Sequence, residues 1–144
     1  MNREARESVP VIFLTVALGS AVGGVSRWGA SLLLFHWFGG AFPWGTLFVN
    51  ASGSFLIGFY AALAGPEGWL AGTRQRHFVM TGFCGGYTTF SIFSLETLHL
   101  AVGGQTALAG VYVGFSLLTW LAGVWAGFAL ALRIDHRRHG GGRV

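Results

Sequence analysis

No Asp, Glu, Lys or Arg lies between Arg27 and Glu67, and none lies between Glu96 and Arg133. Each gap is long enough for a helix of about 20 residues, the length that crosses the hydrocarbon of a bilayer. The stretch Val9 to Ser26 is also free of charge, and so is the run from His77 to Leu95. With 53% hydrophobic and only 10% charged residues among 144, the chain has the composition of an all-α membrane protein of one domain. Four transmembrane helices fit, over about 10–35, 44–64, 78–101 and 106–131, with a basic tail over 132–144. The first apolar run is too long for a cleaved secretory signal, its early charges cancel, and further spans follow.

The basic character comes from nine arginines and no lysine. Eight of them flank apolar runs, in the tails and in the 65–77 connection, as topology signals do; no basic face for nucleic acid is implied. Cys84 is the single cysteine, so no internal disulfide forms.

The third span carries the most unusual stretch, Gly82-Phe83-Cys84-Gly85-Gly86-Tyr87-Thr88-Thr89-Phe90-Ser91-Ile92-Phe93-Ser94. Its glycines and adjacent threonines predict a helix broken near residues 85–88. Broken helices at membrane depth persist only where protein or a water-filled cavity satisfies the freed backbone groups, which marks the stretch as an ion or substrate site. The first half-helix would end in free carbonyls suited to a cation, and the second would begin with free N–H groups suited to an anion. Phe90 and Phe93 share a face at the start of the second half. They are either ordinary packing residues or, because ring edges are electropositive, neutral partners for a small anion.

Other polar residues admit two readings each. Arg27 sits roughly 12 Å short of the first span's end, as an interfacial anchor or as a cation beside an anion vestibule. Thr46, Asn50, Gly53 and Ser54 form a polar and small stripe on the second span, with Asn50 either joining helices or donating to a passing ion. Glu96 caps a vestibule or bonds a neighbouring helix. Tyr112, Ser116 and Thr119 give a polar line on the fourth span, open to a pore or bonded to their own backbone. Gly19, Gly23 and Gly24, with the pairs Gly110/Gly114 and Gly123/Gly127, predict close helix packing.

The string Gly82 to Ser94, extended to Glu96, and the stretch Trp44-Gly45-Thr46-Leu47-Phe48-Val49-Asn50 resemble the CrcB/Fluc family of fluoride channels, and the similarity covers all four spans. The resemblance implies an antiparallel dimer of four-helix subunits in the inner membrane of a prokaryote, enclosing two fluoride pores. It implies a structural Na⁺ at the dimer centre on the backbone carbonyls of Gly85 and Thr88. It also implies a fluoride pathway past Asn50, Phe90 and Phe93, to which Ser91, Thr46, Tyr112 and Ser116 add hydroxyls. Two departures stand out: Ile92 occupies a place where the family often has a hydroxyl, and the polar line from Tyr112 through Ser116 meets Trp120.

Two other functions share parts of this pattern. A small-multidrug-type proton-coupled exporter has four short spans but needs a titratable group deep in a helix, and a non-transporting assembly protein would account for the glycine faces but not for the aromatic break. Neither nucleophile, metal cluster nor phosphate loop points to an enzyme. Eight arginines on the side of the tails and none on the other predict cytoplasmic tails. That bias favours pairing with an oppositely oriented paralogue over pairing with itself.

Overall fold

The structure, a computed structural model, describes residues 9–64 and 72–140, with side chains to His136 in the last helix. Glu67 and the arginines at 3, 6 and 143, and the side chains of Arg137 and Arg138, lie outside the described residues. Among the described residues four segments are long and apolar enough to cross a membrane: Val9–Phe38, Trp44–Leu63, Thr73–Val102 and Thr106–His136. They comprise α1 (Val9–Phe38), α2 (Trp44–Leu63), a composite third span and α6 (Thr106–Gly140). The third span runs through α3 (Thr73–Arg76), a π-helix (His77–Cys84), α4 (Gly85–Tyr87) and α5 (Phe90–Val102).

Several boundaries differ from the sequence expectation. The fourth helix does not stop at 131 but runs to Gly140, so most of the expected tail is helical. The third span opens at Thr73, inside the segment expected to be a connection, and widens at once into i→i+5 bonding. Its break is later than expected. Gly85 has φ −64° and ψ −37° and remains helical, whereas Thr88 (φ −88°, ψ 161°) and Thr89 (φ −153°, ψ 125°) are extended.

The turns follow from local chemistry. Gly39 (φ +72°) ends α1, its N–H donating to Phe35 O at 2.8 Å, a left-handed cap that a side chain would strain. Pro43 precedes the first residue of α2, where its missing N–H costs nothing. At the start of α5 the Thr89 hydroxyl accepts from the Ile92 N–H at 3.2 Å, an N-cap.

Packing is set by small residues. A Cβ on Gly19 would lie 2.5 Å from Phe78 O, and one on Gly23 would collide with Phe83 O, so α1 rests directly on the π-helix backbone. A Cβ on Gly127 would likewise meet Phe55 O, which seats α6 on α2. Gly24, Gly110 and Gly114 have open space at their Cβ positions, so none of them is required there for a close approach between described segments. Large apolar side chains such as Phe13, Val25, Leu118 and Trp125 face outward, as bilayer solvent requires. α2 is the most enclosed element and buries Thr46, Val49, Asn50 and Gly53.

Candidate functional site

The break in the third span is built from α2. Asn50 is buried, and its Oδ1 accepts from the Thr89 N–H at 2.7 Å while its Nδ2 donates to Thr89 O at 2.8 Å. One side-chain amide therefore satisfies both backbone groups that the extended residue exposes. The interhelical reading of Asn50 describes these contacts, and one N–H of its amide is left over. In a continuous helix the Thr89 N–H would donate to Gly85 O, so its diversion to Asn50 releases the Gly85 carbonyl.

Arg27 reaches this point from α1. Its Nη1 donates to Thr88 O at 3.3 Å, so its guanidinium is directed to the break rather than to the interface. The Thr88 hydroxyl bonds back to Cys84 O at 2.8 Å. Ser20 donates to Gly82 O at 3.3 Å, a second contact from α1 to the same span.

Glu96 joins three helices. Its Oε1 accepts from the Thr46 hydroxyl at 2.8 Å and its Oε2 from the Tyr112 hydroxyl at 2.7 Å. Two hydroxyls expected along the ion path thus face a carboxylate, and Glu96 is a helix-bonding group. Thr119 donates to Phe115 O and Ser116 O on its own helix, both at 2.9 Å, and leaves the polar line. Ser91 is exposed beside the Thr89 hydroxyl, 3.3 Å away.

Phe90 and Phe93 have ring centroids 5.6 Å apart but opposite environments. Phe93 is 5% exposed, against Tyr112 (5.1 Å) and Trp120 (4.9 Å, rings at 70°), whereas Phe90 is 69% exposed. Ser116 is fully buried on the same face of α6, between Tyr112 and Trp120.

Two hollows flank the break. One, about 620 Å³, is lined by Arg27, Thr46, Thr89, Glu96, His99 and Gln105 among others. The second, about 300 Å³, takes in Asn50, Gly85, Thr88, Thr89, Phe90 and Trp120. Thr89 is in both walls. Sequence reasoning missed Thr89 as the residue that makes the break, because its role depends on an amide 39 positions away. Trp120 it saw only as an interruption of the polar line.

A bundle of membrane-length helices in which one span breaks between two hollows, edged by an exposed aromatic ring, has an architecture that suits a membrane channel. The chain belongs to the family described as CrcB-like protein, Camphor Resistance (CrcB), whose profile matches residues 14–128. It is 50% identical over 125 residues to "Fluoride-specific ion channel FluC 1" of Rhodopseudomonas palustris (strain BisB18), covering 86% of this chain and 89% of the relative. A protein of the same name from Bradyrhizobium diazoefficiens is 52% identical over 126 residues, 87% of each chain. "Fluoride-specific ion channel FluC" of Opitutus terrae is 53% identical over 108 residues, 74% of this chain and 82% of the relative.

Proposed function

We propose that this chain is a subunit of a fluoride-selective channel through which cytoplasmic fluoride leaves passively. The observation that carries the reading is the placement of Phe90, whose exposed ring begins α5 directly after the break, in the wall that also holds Asn50 and Thr89. Fluoride is small and strongly hydrated, so a selective path replaces its water with closely set neutral donors and ring edges that do not trap it. Phe90, Phe93, Asn50, Ser91 and Ser116 are the pathway residues in this reading. Thr46 and Tyr112 act on it through Glu96, and Arg27 supplies positive potential at the wider hollow.

Phe90 faces out of the subunit, so one wall of its path must come from elsewhere. An antiparallel dimer supplies it. The same arrangement suits a structural Na⁺: Gly85 O is released by the Asn50 bond, and Thr88 O keeps one lone pair beyond its contact with Arg27. Carbonyl oxygens are the donors such an ion takes, and a second subunit would double their number. The ion would fix the two subunits together. Cytoplasmic tails follow from the arginine bias, which also supports an oppositely oriented paralogue as the partner.

Liposomes loaded with fluoride or chloride test the function. The chain, alone or with a second subunit, is expected to release fluoride and retain chloride; release of both at equal rates, or of neither, would defeat the reading. Labelling a C-terminal tag in intact cells tests orientation, and equal accessibility from both sides would defeat the paralogue pairing.

A further inference from the structure

The Trp120 Nε1–H is buried and finds no hydrogen-bond partner among the described residues, and the Ser116 hydroxyl one turn earlier is in the same condition. A buried N–H without an acceptor is costly, and native structures hold few of them. Here two occur on one face of α6, and both belong to the stripe against which Phe93 packs. The stripe begins with Tyr112, whose hydroxyl is committed to Glu96. Beyond it, the donors are unclaimed. Trp120 also lines the 300 Å³ hollow that contains Asn50, Thr89 and Phe90, so its indole stands where the aromatic pair meets the break.

We infer that Trp120 is a specificity-determining residue of the pathway, its indole N–H donating a hydrogen bond to the anion as it passes Phe93, with the Ser116 hydroxyl as the preceding donor. This deepens the channel reading and rests on it. The chemistry fits a small hard anion. An indole N–H donates and does not accept, so it offers nothing to a cation, and its neutrality lets the ion leave again. Its ring makes an edge contact with Phe93, which orients the donor beside the aromatic pair. The tryptophan that interrupts the run of hydroxyls on the fourth helix thereby continues it with a different donor.

The test pairs flux with spectroscopy. Trp120→Phe keeps an aromatic ring and removes the N–H, and in the assembly that conducts it is expected to lower fluoride efflux about tenfold, the effect of roughly one hydrogen bond to a charged group. Trp125→Phe, on the outward face of the same helix, serves as the control and should leave efflux unchanged. In the wild-type chain the six indole N–H signals can be observed by ¹⁵N–¹H NMR, and the signal lost in Trp120→Phe identifies Trp120. Sodium fluoride, but not sodium chloride, is expected to move that signal downfield. Unchanged efflux in the variant together with an unmoved signal overturns the inference while leaving a conducting channel intact. Reduced efflux with an unmoved signal assigns Trp120 to packing and overturns it as well. Wild-type protein that passes no fluoride in any assembly overturns the channel reading, and the inference with it. If Trp120→Phe does not fold, the Trp120 signal is assigned in the wild-type chain by its nuclear Overhauser contacts to the Phe93 ring, and its movement or stillness with fluoride decides.

Discussion

The side-chain amide of Asn50 and the backbone of Thr89 exchange two hydrogen bonds, 2.7 and 2.8 Å long, across 39 residues of sequence. The pair stands in for the intrahelical bonds that the third span gives up at its break. Asn50→Asp keeps the acceptor for the Thr89 N–H but sets a carboxylate oxygen against Thr89 O. Asn50→Ala leaves both groups bare, at about 1–3 kcal/mol each. Both variants are expected to unfold at lower temperature in detergent and to conduct less fluoride, and a wild-type melting curve and flux for either would remove the assignment.

Glu96 should behave as the centre of a coupled triad. Tyr112→Phe and Thr46→Val each remove a hydrogen bond to the carboxylate, with an expected loss of about 1.5–3 kcal/mol apiece. In a Glu96→Gln background one oxygen is replaced by a donor, and the cost of the two substitutions should change. Denaturant titration of the single and double variants measures this, and strictly additive losses would show that the three side chains do not share one network.

The glycine contacts separate into two groups. Gly23→Ala and Gly127→Ala introduce a methyl group against the carbonyls of Phe83 and Phe55, so each is expected to destabilise the bundle by more than about 2 kcal/mol. Gly24→Ala and Gly114→Ala enter open space within the chain and should leave its thermal stability unchanged. Melting temperatures of all four, purified in parallel, make the comparison.

Phe90→Ile and Phe93→Ile should differ in kind. Phe93 packs against Tyr112 and Trp120, so its loss lowers both stability and fluoride flux. Phe90 is largely exposed, and its loss should lower flux with little change in melting temperature. Equal melting losses would place Phe90 in the packing instead.

Exchange of sodium for N-methylglucamine is expected to weaken the dimer if carbonyls of Gly85 and Thr88 hold a cation between subunits. Size-exclusion chromatography at low protein concentration reads this, and the same elution in both buffers would remove the ion from the interface.

The spans were legible because apolar length and missing charge are properties of the chain itself. So was the general position of the break, since glycines and paired threonines interrupt an apolar run. The displacement of the break from Gly85 to Thr88 and Thr89 was not legible. Three consecutive residues, Gly85 to Tyr87, hold a helical turn because α1 packs on it through Ser20, which lies against Gly86. The partition of Phe90 and Phe93 into outward and inward rings escaped the spacing argument, since residues three apart share a face without sharing an environment. Glycine pairs at equal spacing looked alike, and only the neighbours of Gly123 and Gly127 distinguish them from Gly110 and Gly114. The π-helix had no compositional sign. Its backbone lies where Gly19 and Gly23 of α1 allow it to approach.

The bond between Asn50 and Thr89 also bears on how the protein is made. A membrane helix with all its hydrogen bonds internal can rest in the bilayer alone, but the third span in its broken form cannot, because the N–H and C=O of Thr89 are met by a side chain on the preceding span. Before Asn50 docks, the Thr89 N–H has the Gly85 carbonyl as its helical partner, so the break is a product of the second and third spans meeting rather than of the third span alone.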